Sequence, residues 1–283
     1  MGGNGGVGPD GGGKKAADRQ HSSLKLHIFA LNRAADRGGA DVHLLGKLLH
    51  RDRQQLAAGA PACTSVHGIR VPPELFEGFP ETSRYPHEIY YRLAAPLLLP
   101  DTLDRILYLD ADIVIINSLV PLYGSDFEGN LFMACTHTRK LLTHANQRRL
   151  GIEEEVPYIN TGVILMELRG LRRELDLEAI RQYALQNKAA LLLPDQDILT
   201  ALYGTRVKLL DSLVYNLSDR ILALHNANPL QERLDLDWVR RNTVVIHYCG
   251  RNKPWKPGYC GTLGIFYREL KDTPGGQSRK RAK

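Results

Sequence analysis

The stretch at residues 105–116 (RILYLDADIVII) limits the folds open to this chain more than any other. It is apolar at both sets of alternating positions, the pattern of a central strand covered by helices on both faces of a sheet. Only Asp110 and Asp112 interrupt it. Residues 158–168 (YINTGVILMEL) and 243–248 (TVVIHY) repeat this style of short β-branched run, residues 24–31 (LKLHIFAL) alternate as a further strand, and a short strand is expected near 69–71. Residues 42–56, 89–99, 171–186 and 197–203 carry apolar side chains at helical spacing. Strands alternating with helices predict an α/β fold with a mostly parallel, mixed sheet flanked by helices. In such sheets ligands sit beyond the carboxyl ends of strands.

With 283 residues, 43% of them hydrophobic, the chain can bury a full core. The formal charge is +6, but Lys271, Arg279, Lys280, Arg281 and Lys283 against Asp272 place +4 of it in the last segment. The body is nearly neutral, so no nucleic-acid partner is expected. The Arg279-Lys280-Arg281 run reads as a solvated terminus, with a peripheral contact to an anionic membrane surface or a partner as the alternative. Cys63, Cys135, Cys249 and Cys260 form no Cys-x-x-Cys pair and read as reduced thiols. No apolar run reaches the roughly 18 residues that span a bilayer, and the N-terminus lacks the apolar core of a signal peptide. A cytoplasmic protein, peripheral to a membrane only through its tail, is expected. Eight of the first 13 residues are glycine, so residues 1–23 read as a disordered leader, 24–270 as the folded domain and 271–283 as a basic flexible tail.

Asp110-Ala111-Asp112 is the feature most suggestive of chemistry. In extended chain, residues i and i+2 project to one side, and two carboxylates in an apolar setting are costly without a cation. A divalent metal is the natural partner, and oxygen ligands suit Mg²⁺ or Mn²⁺; a pair of turn or capping aspartates is the alternative. His247 ends another apolar strand and precedes Cys249-Gly250-Arg251-Asn252-Lys253-Pro254-Trp255. Alone it reads as a hydrogen-bonded strand end; joined to two carboxylates, an imidazole tilts the metal toward Mn²⁺. Gly250 would let the backbone approach an anion, and Lys253 supplies a compact charge for a phosphate. A zinc set of Cys135, His137, His247 and Cys249 lacks the spacing of the known finger types. Pro194-Asp195-Gln196-Asp197 reads as a helix start with acids in its first turn, and Asn160-Thr161-Gly162 as a turn before a strand. Neither a dinucleotide fingerprint nor a P-loop is present.

In order, the motifs YYRL, ILYLDADIVI, NTGVILMEL, PDQDIL and HYCGRNKPWK, from about Tyr90 to Trp255, resemble the family 8 glycosyltransferases. These are retaining enzymes of GT-A fold that include bacterial lipopolysaccharide galactosyl- and glucosyltransferases and glycogenin. The resemblance implies metal-dependent transfer of galactose or glucose from a UDP-sugar to a saccharide or lipopolysaccharide-type acceptor. It makes Asp110, Asp112 and His247 the ligands of Mn²⁺, or of Mg²⁺, and sets Gly250 and Lys253 on the donor diphosphate. Arg92, Ala111, Asn160, Thr161 and Gly162 become substrate-binding residues, and Asp195 and Gln196 the catalytic ones beside the reacting carbon. Gln196 is a feeble nucleophile, so its expected role is stabilising an oxocarbenium-like state. Family members open with a strand, a uridine-gripping loop and a helix, where this sequence has its Gly-rich segment. The resemblance therefore implies a GT-A fold whose first βα unit is missing or degenerate. The alternative reading is a catalytically impaired GT-A protein that binds sugar nucleotide or serves as a partner module.

Overall fold

A computed structural model describes residues 27–33, 40–45, 64–81, 85–136, 140–152 and 155–272. In chain order its strands are β1 (His27–Arg33), β2 (Ala40–Leu45), β3 (Thr64–Ile69), β4 (Arg105–Leu109), β5 (Ile113–Ile115), β6 (Phe132–Thr136), β7 (Ile159–Glu167), β8 (Val207–Leu210) and β9 (Val245–His247). The helices are α1 (Tyr91–Leu98), α2 (Val120–Tyr123), α3 (Lys140–Arg149), α4 (Leu168–Glu174), α5 (Leu177–Gln186), α6 (Pro194–Tyr203), α7 (Ser212–Tyr215), α8 (Asp219–Asn226), α9 (Leu236–Asn242) and α10 (Gly264–Asp272). Seven strands form one sheet in the order β3-β2-β1-β4-β7-β6-β8, and β5 pairs with β9 in a second.

The main sheet is mixed, as expected, but not mostly parallel. Among the described residues only β2–β3 and β6–β8 run parallel, while β1–β2, β1–β4, β4–β7 and β6–β7 are antiparallel. Strand–helix alternation along a chain implies parallel pairing only when successive strands are sheet neighbours. Here β4 lies between β1 and β7. Residues 42–45, expected to open a helix, belong to β2, where pairing on both edges overrides the helix-like leucine spacing. The remainder of that expected helix lies outside the described residues, as do the leader and the chain beyond Asp272.

Two further expectations are corrected in detail. Residues 105–116 are two strands in two different sheets, with Asp110-Ala111-Asp112 as the crossing between them. Residues 171–186 are two helices, because the Asp176 carboxylate accepts from Glu178 N and Ala179 N at 2.8 and 3.1 Å and starts a new helix.

The continuous apolar pattern of the central strands is borne out. On β4, Ile106 and Tyr108 enter the core beneath α1, α4, α5 and α6, while Leu107 and Leu109 enter a second core with Leu122, Phe127 and Val245. On β7, Ile164 and Met166 take the first side, and Val163 and Leu165 the second. Such a doubly buried sheet is a rigid platform for groups at its strand ends. A third core joins Val114 and Ile246, from the second sheet, to Leu222, Val239 and Phe266 of α8, α9 and α10. No helix among the described residues is long and apolar enough to cross a membrane.

Candidate metal and donor site

The acidic tripeptide is tied to both sheets at once. Asp110 N donates to Gly162 O on β7 at 2.8 Å, and Asp112 O accepts from Tyr248 N, just past β9, at 2.9 Å. Because β9 pairs with β5 so that His247 faces Ile113, the imidazole arrives beside the two carboxylates. His247 Nε2 lies 3.1 Å from Asp112 Oδ1 and 3.8 Å from Asp110 Oδ2. One ligand atom from each of Asp110, Asp112 and His247 falls within 4.8 Å of the others. No cysteine joins them among the described residues; Cys135 is buried, with its thiol on Asp211 O, and His137 of the zinc set lies outside the described residues.

Apart from the contacts of the imidazole, each carboxylate has one oxygen engaged by the protein. Asp110 Oδ1 accepts from the Tyr108 hydroxyl at 2.6 Å and from Arg92 Nη2 at 3.2 Å. Asp112 Oδ2 is ion-paired with Lys253 Nζ, which also donates to Tyr248 O at 2.6 Å. Burial would push the Asp112 carboxyl up, but the hydrogen bonds and charges of His247 and Lys253 outweigh it and hold it down to about 2.

The imidazole has little freedom. It is 3% exposed, and its Nδ1 lies 2.8 Å from Asn216 Oδ1. It fits only because residue 162 is glycine: a Cβ there would lie 2.2 Å from His247 Cε1 and 2.8 Å from Nδ1. With Nδ1 turned to Asn216, Nε2 faces two carboxylates, and these three groups suit a divalent cation with mixed oxygen and nitrogen ligands. The donor set therefore fits a metal.

A cavity of about 600 Å³ opens beside this cluster, lined among others by Arg92, Asp110, Asn160, Asp195, Gln196 and His247. In its lining, Arg92 Nη1 donates to Thr161 O at 2.7 Å, its Nε lies 3.2 Å from Asp195 Oδ2 and its guanidinium covers the Tyr108 ring at 4.3 Å. Burial works against its charge, but Tyr108, Asp110 and Asp195 outweigh it and raise its pKa. Both Nη groups of Arg92 thus hydrogen-bond protein, its Nε is ion-paired with Asp195 without a hydrogen bond, and the residue links Asp110 to Asp195. The Asp195 carboxyl is itself raised, chiefly by burial, despite Arg92 and a 2.9 Å bond from Thr161 Oγ1. Gln196 is 3% exposed; its Oε1 lies 3.4 Å from Asn160 Nδ2, and its Nε2 has no hydrogen-bond partner. Gly250 lines the cavity at φ +89°, a conformation that favours glycine. Ala111 is exposed at the crossing.

Asp197, the third acid of PDQD, is fully buried and serves the fold. It accepts from Leu192 N and Leu193 N at 2.6 and 3.0 Å, from the Tyr158 hydroxyl at 2.7 Å and from Arg149 Nη2 at 2.7 Å, which fixes the start of α6. Arg149, Tyr158 and Asn216 act through contacts distant in the chain that no local motif marks, whereas the i, i+2 spacing of Tyr108 to Asp110 on one strand face is a usable signal.

A mixed α/β sheet with carboxylates and an imidazole gathered at its strand ends, beside a cavity lined by Asp195 and Gln196, has the GT-A fold of the solved glycosyltransferases on which it superposes. The sequence profile of Glycosyl transferase family 8 matches residues 51–257, and the chain belongs to that family. The galactosyltransferase LgtC, solved in complex with donor and acceptor sugar analogs, superposes with a TM-score of 0.66 at 28% identity, covering 80% of this chain and 82% of that one. GlyE of Streptococcus pneumoniae TIGR4 shares the fold, with a TM-score of 0.56 at 18% identity over 80% of this chain and 51% of that one. Among curated proteins, General stress protein A of Bacillus subtilis is 24% identical over 200 residues, 67% of this chain and 66% of that protein. Lipopolysaccharide 1,2-glucosyltransferase of Escherichia coli is 27% identical over 189 residues, 64% and 53% respectively. The chain thus spans between about half and two thirds of the length of these two curated relatives.

Proposed function

We propose that this protein transfers a hexose, galactose or glucose, from a UDP-sugar to a saccharide acceptor of lipopolysaccharide type, with retention of anomeric configuration and with Mn²⁺ as its metal. The observation that carries this reading is the convergence of Asp110, Asp112 and His247 at a cavity also lined by Asp195 and Gln196. Relatives named as lipopolysaccharide glucosyl- and galactosyltransferases support the hexose and the acceptor class.

The two carboxylates and the imidazole hold the cation, which when bound supplies neutralising charge for the nucleoside diphosphate as its bond to the sugar breaks. Tyr108 and Arg92 keep Asp110 Oδ1 occupied and so aim Oδ2 at the cluster. Lys253, ion-paired with Asp112, would supply a second cation to the diphosphate, and the φ of Gly250 would let its backbone approach the phosphates. Asp195 and Gln196 face the sugar. Held by Thr161 and Arg92, the Asp195 carboxylate stabilises positive charge developing at the anomeric carbon. The buried Gln196 Nε2, without a partner in the protein, donates to an oxygen of the bound sugar. An adjoining cavity of about 1270 Å³, which shares Asp219, Arg220 and Asn252 with the first, gives the acceptor room to enter.

The test is UDP release from UDP-glucose and UDP-galactose with Mn²⁺, for the wild-type protein and for Asp110→Asn and Gln196→Ala. Loss of one metal-oriented carboxylate, or of the sugar-side amide, is expected to lower turnover by about two orders of magnitude or more, with the circular dichroism spectrum unchanged. Wild-type turnover in Asp110→Asn would refute the metal assignment. An inactive wild-type protein that still binds UDP would favour the non-catalytic alternative.

A further inference from the structure

The buried polar contacts behind the metal cluster form one directed chain, and its direction can be read from the only member whose role is fixed by covalent structure. Gly162 N–H is an obligate donor, and it lies 3.1 Å from Asn160 Oδ1. That atom of Asn160 is therefore an acceptor. Asn216 approaches the same oxygen at 2.9 Å and must present Nδ2 to it. The other end of the Asn216 amide, Oδ1, then faces His247 Nδ1 at 2.8 Å, so Nδ1 carries the proton and donates. In the metal-free protein Nε2 can also carry a proton toward Asp112; in the neutral form that binds a metal, the lone pair falls on Nε2, the nitrogen that faces Asp110 and Asp112.

The backbone holds this relay in place. Leu217 N donates to Val245 O at 3.0 Å and His247 N donates to Leu217 O at 2.7 Å, so the residue after Asn216 is stitched to the strand that carries the imidazole. Asn216 is 3% exposed, and its side chain reaches Asn160 and His247 rather than the cavity. It does not line the cavity beside the cluster.

From this geometry we infer that Asn216 is a positioning residue: it fixes the tautomer and ring orientation that make His247 an Nε2-directed metal ligand, under a polarity set by the backbone amide of Gly162. The inference rests on the metal site proposed above. A ligand histidine whose second nitrogen loses its partner typically binds metal more weakly by 10–100-fold. The same chain continues from Asn160 to Gln196 and links the metal ligand to the sugar side of the cavity.

The test is Mn²⁺ titration by calorimetry, with the loss of free-Mn²⁺ electron paramagnetic resonance signal as a second readout, on the wild-type protein, Asn216→Ala and Asn216→Asp. Asn216→Asp keeps an acceptor for Nδ1–H but sets a second oxygen against Asn160 Oδ1, so its Kd for Mn²⁺ is expected between those of wild-type and Asn216→Ala. Asn216→Ala removes the acceptor and is expected to weaken Mn²⁺ by about 10–100-fold, with a melting curve that still shows a folded protein. Equal Mn²⁺ affinity in Asn216→Ala and wild-type would overturn the inference while leaving the metal site standing. Equal weakening in both variants would also overturn it, because the acceptor would then not be what orients the ring. A wild-type protein that binds no Mn²⁺ would overturn the metal reading itself.

Discussion

Replacing Gly162 by alanine tests the site through its tightest steric constraint. The added Cβ would lie 2.2 Å from His247 Cε1, 2.8 Å from Nδ1 and 3.0 Å from Nε2. Carbon atoms in contact sit roughly 3.5–4.0 Å apart, so the ring must retreat by more than about 1 Å or the strand must move. The imidazole cannot retreat freely, since a shift of that size breaks the 2.8 Å contact to Asn216 and carries Nε2 away from Asp112. β7 is equally constrained, being buried from Ile159 to Met166 and bonded on both edges. Overpacking of this kind costs about 1–3 kcal/mol. At roughly 2–4 °C per kcal/mol for a chain of this size class, the melting temperature should fall by several degrees. The displaced ligand should weaken Mn²⁺ by about tenfold or more, read by calorimetric titration of the purified variant. An alanine variant with wild-type melting temperature and wild-type Mn²⁺ affinity would refute both the packing and the ligand role of His247.

Asp197→Ala should destabilise the fold by roughly 3–5 kcal/mol in urea unfolding, because it strips a fully buried carboxylate from Arg149, Tyr158 and two backbone amides; a loss below about 1 kcal/mol would contradict that reading. Asp112 predicts an acid-side loss of stability in the metal-free protein. A carboxyl held at about 2 against an ordinary 3.8 contributes stability above 3.8, and this is lost as pH falls toward about 2. The amount is ~2 kcal/mol, and Asp112→Asn should flatten the pH dependence of unfolding across that window; an unchanged slope would argue against the His247 and Lys253 contacts. Asp195 has the opposite sign. Its raised pKa makes the folded state more favourable as pH falls from neutrality toward the ordinary carboxyl value, so Asp195→Asn should remove that part of the profile, read in the same unfolding series.

The parts of the fold legible in the sequence were those dictated by local pattern. Residues 105–109 and 159–166 are apolar on both faces because both faces are covered, and the sequence states this directly. Strand direction is a property of pairing between distant segments, and alternation of elements along the chain misleads about it: β4 neighbours β1 and β7, and both pairings are antiparallel. The leucines near residue 45 likewise satisfy a helical spacing, yet the segment is held by two neighbouring strands. At the site, Asp110, Asp112 and His247 were legible because their residue types and strand-end positions are unusual in apolar runs, and they do gather. The network behind them was not. Asn216 sits 56 residues from Asn160 and 31 from His247 in an unremarkable polar turn, and nothing local marks it. Arg92 was legible as part of the site but not as a clamp, because its partners Asp110, Thr161 and Asp195 are brought together only by the sheet and α6.

Calorimetric titration of UDP into the wild-type protein, with and without Mn²⁺, decides whether the cluster is a nucleoside-diphosphate site built on a divalent cation. The expected result is a Kd in the micromolar range that requires Mn²⁺ and is lost in Asp110→Asn. Absence of binding at millimolar UDP with Mn²⁺ present, or equal binding in its absence, would contradict it.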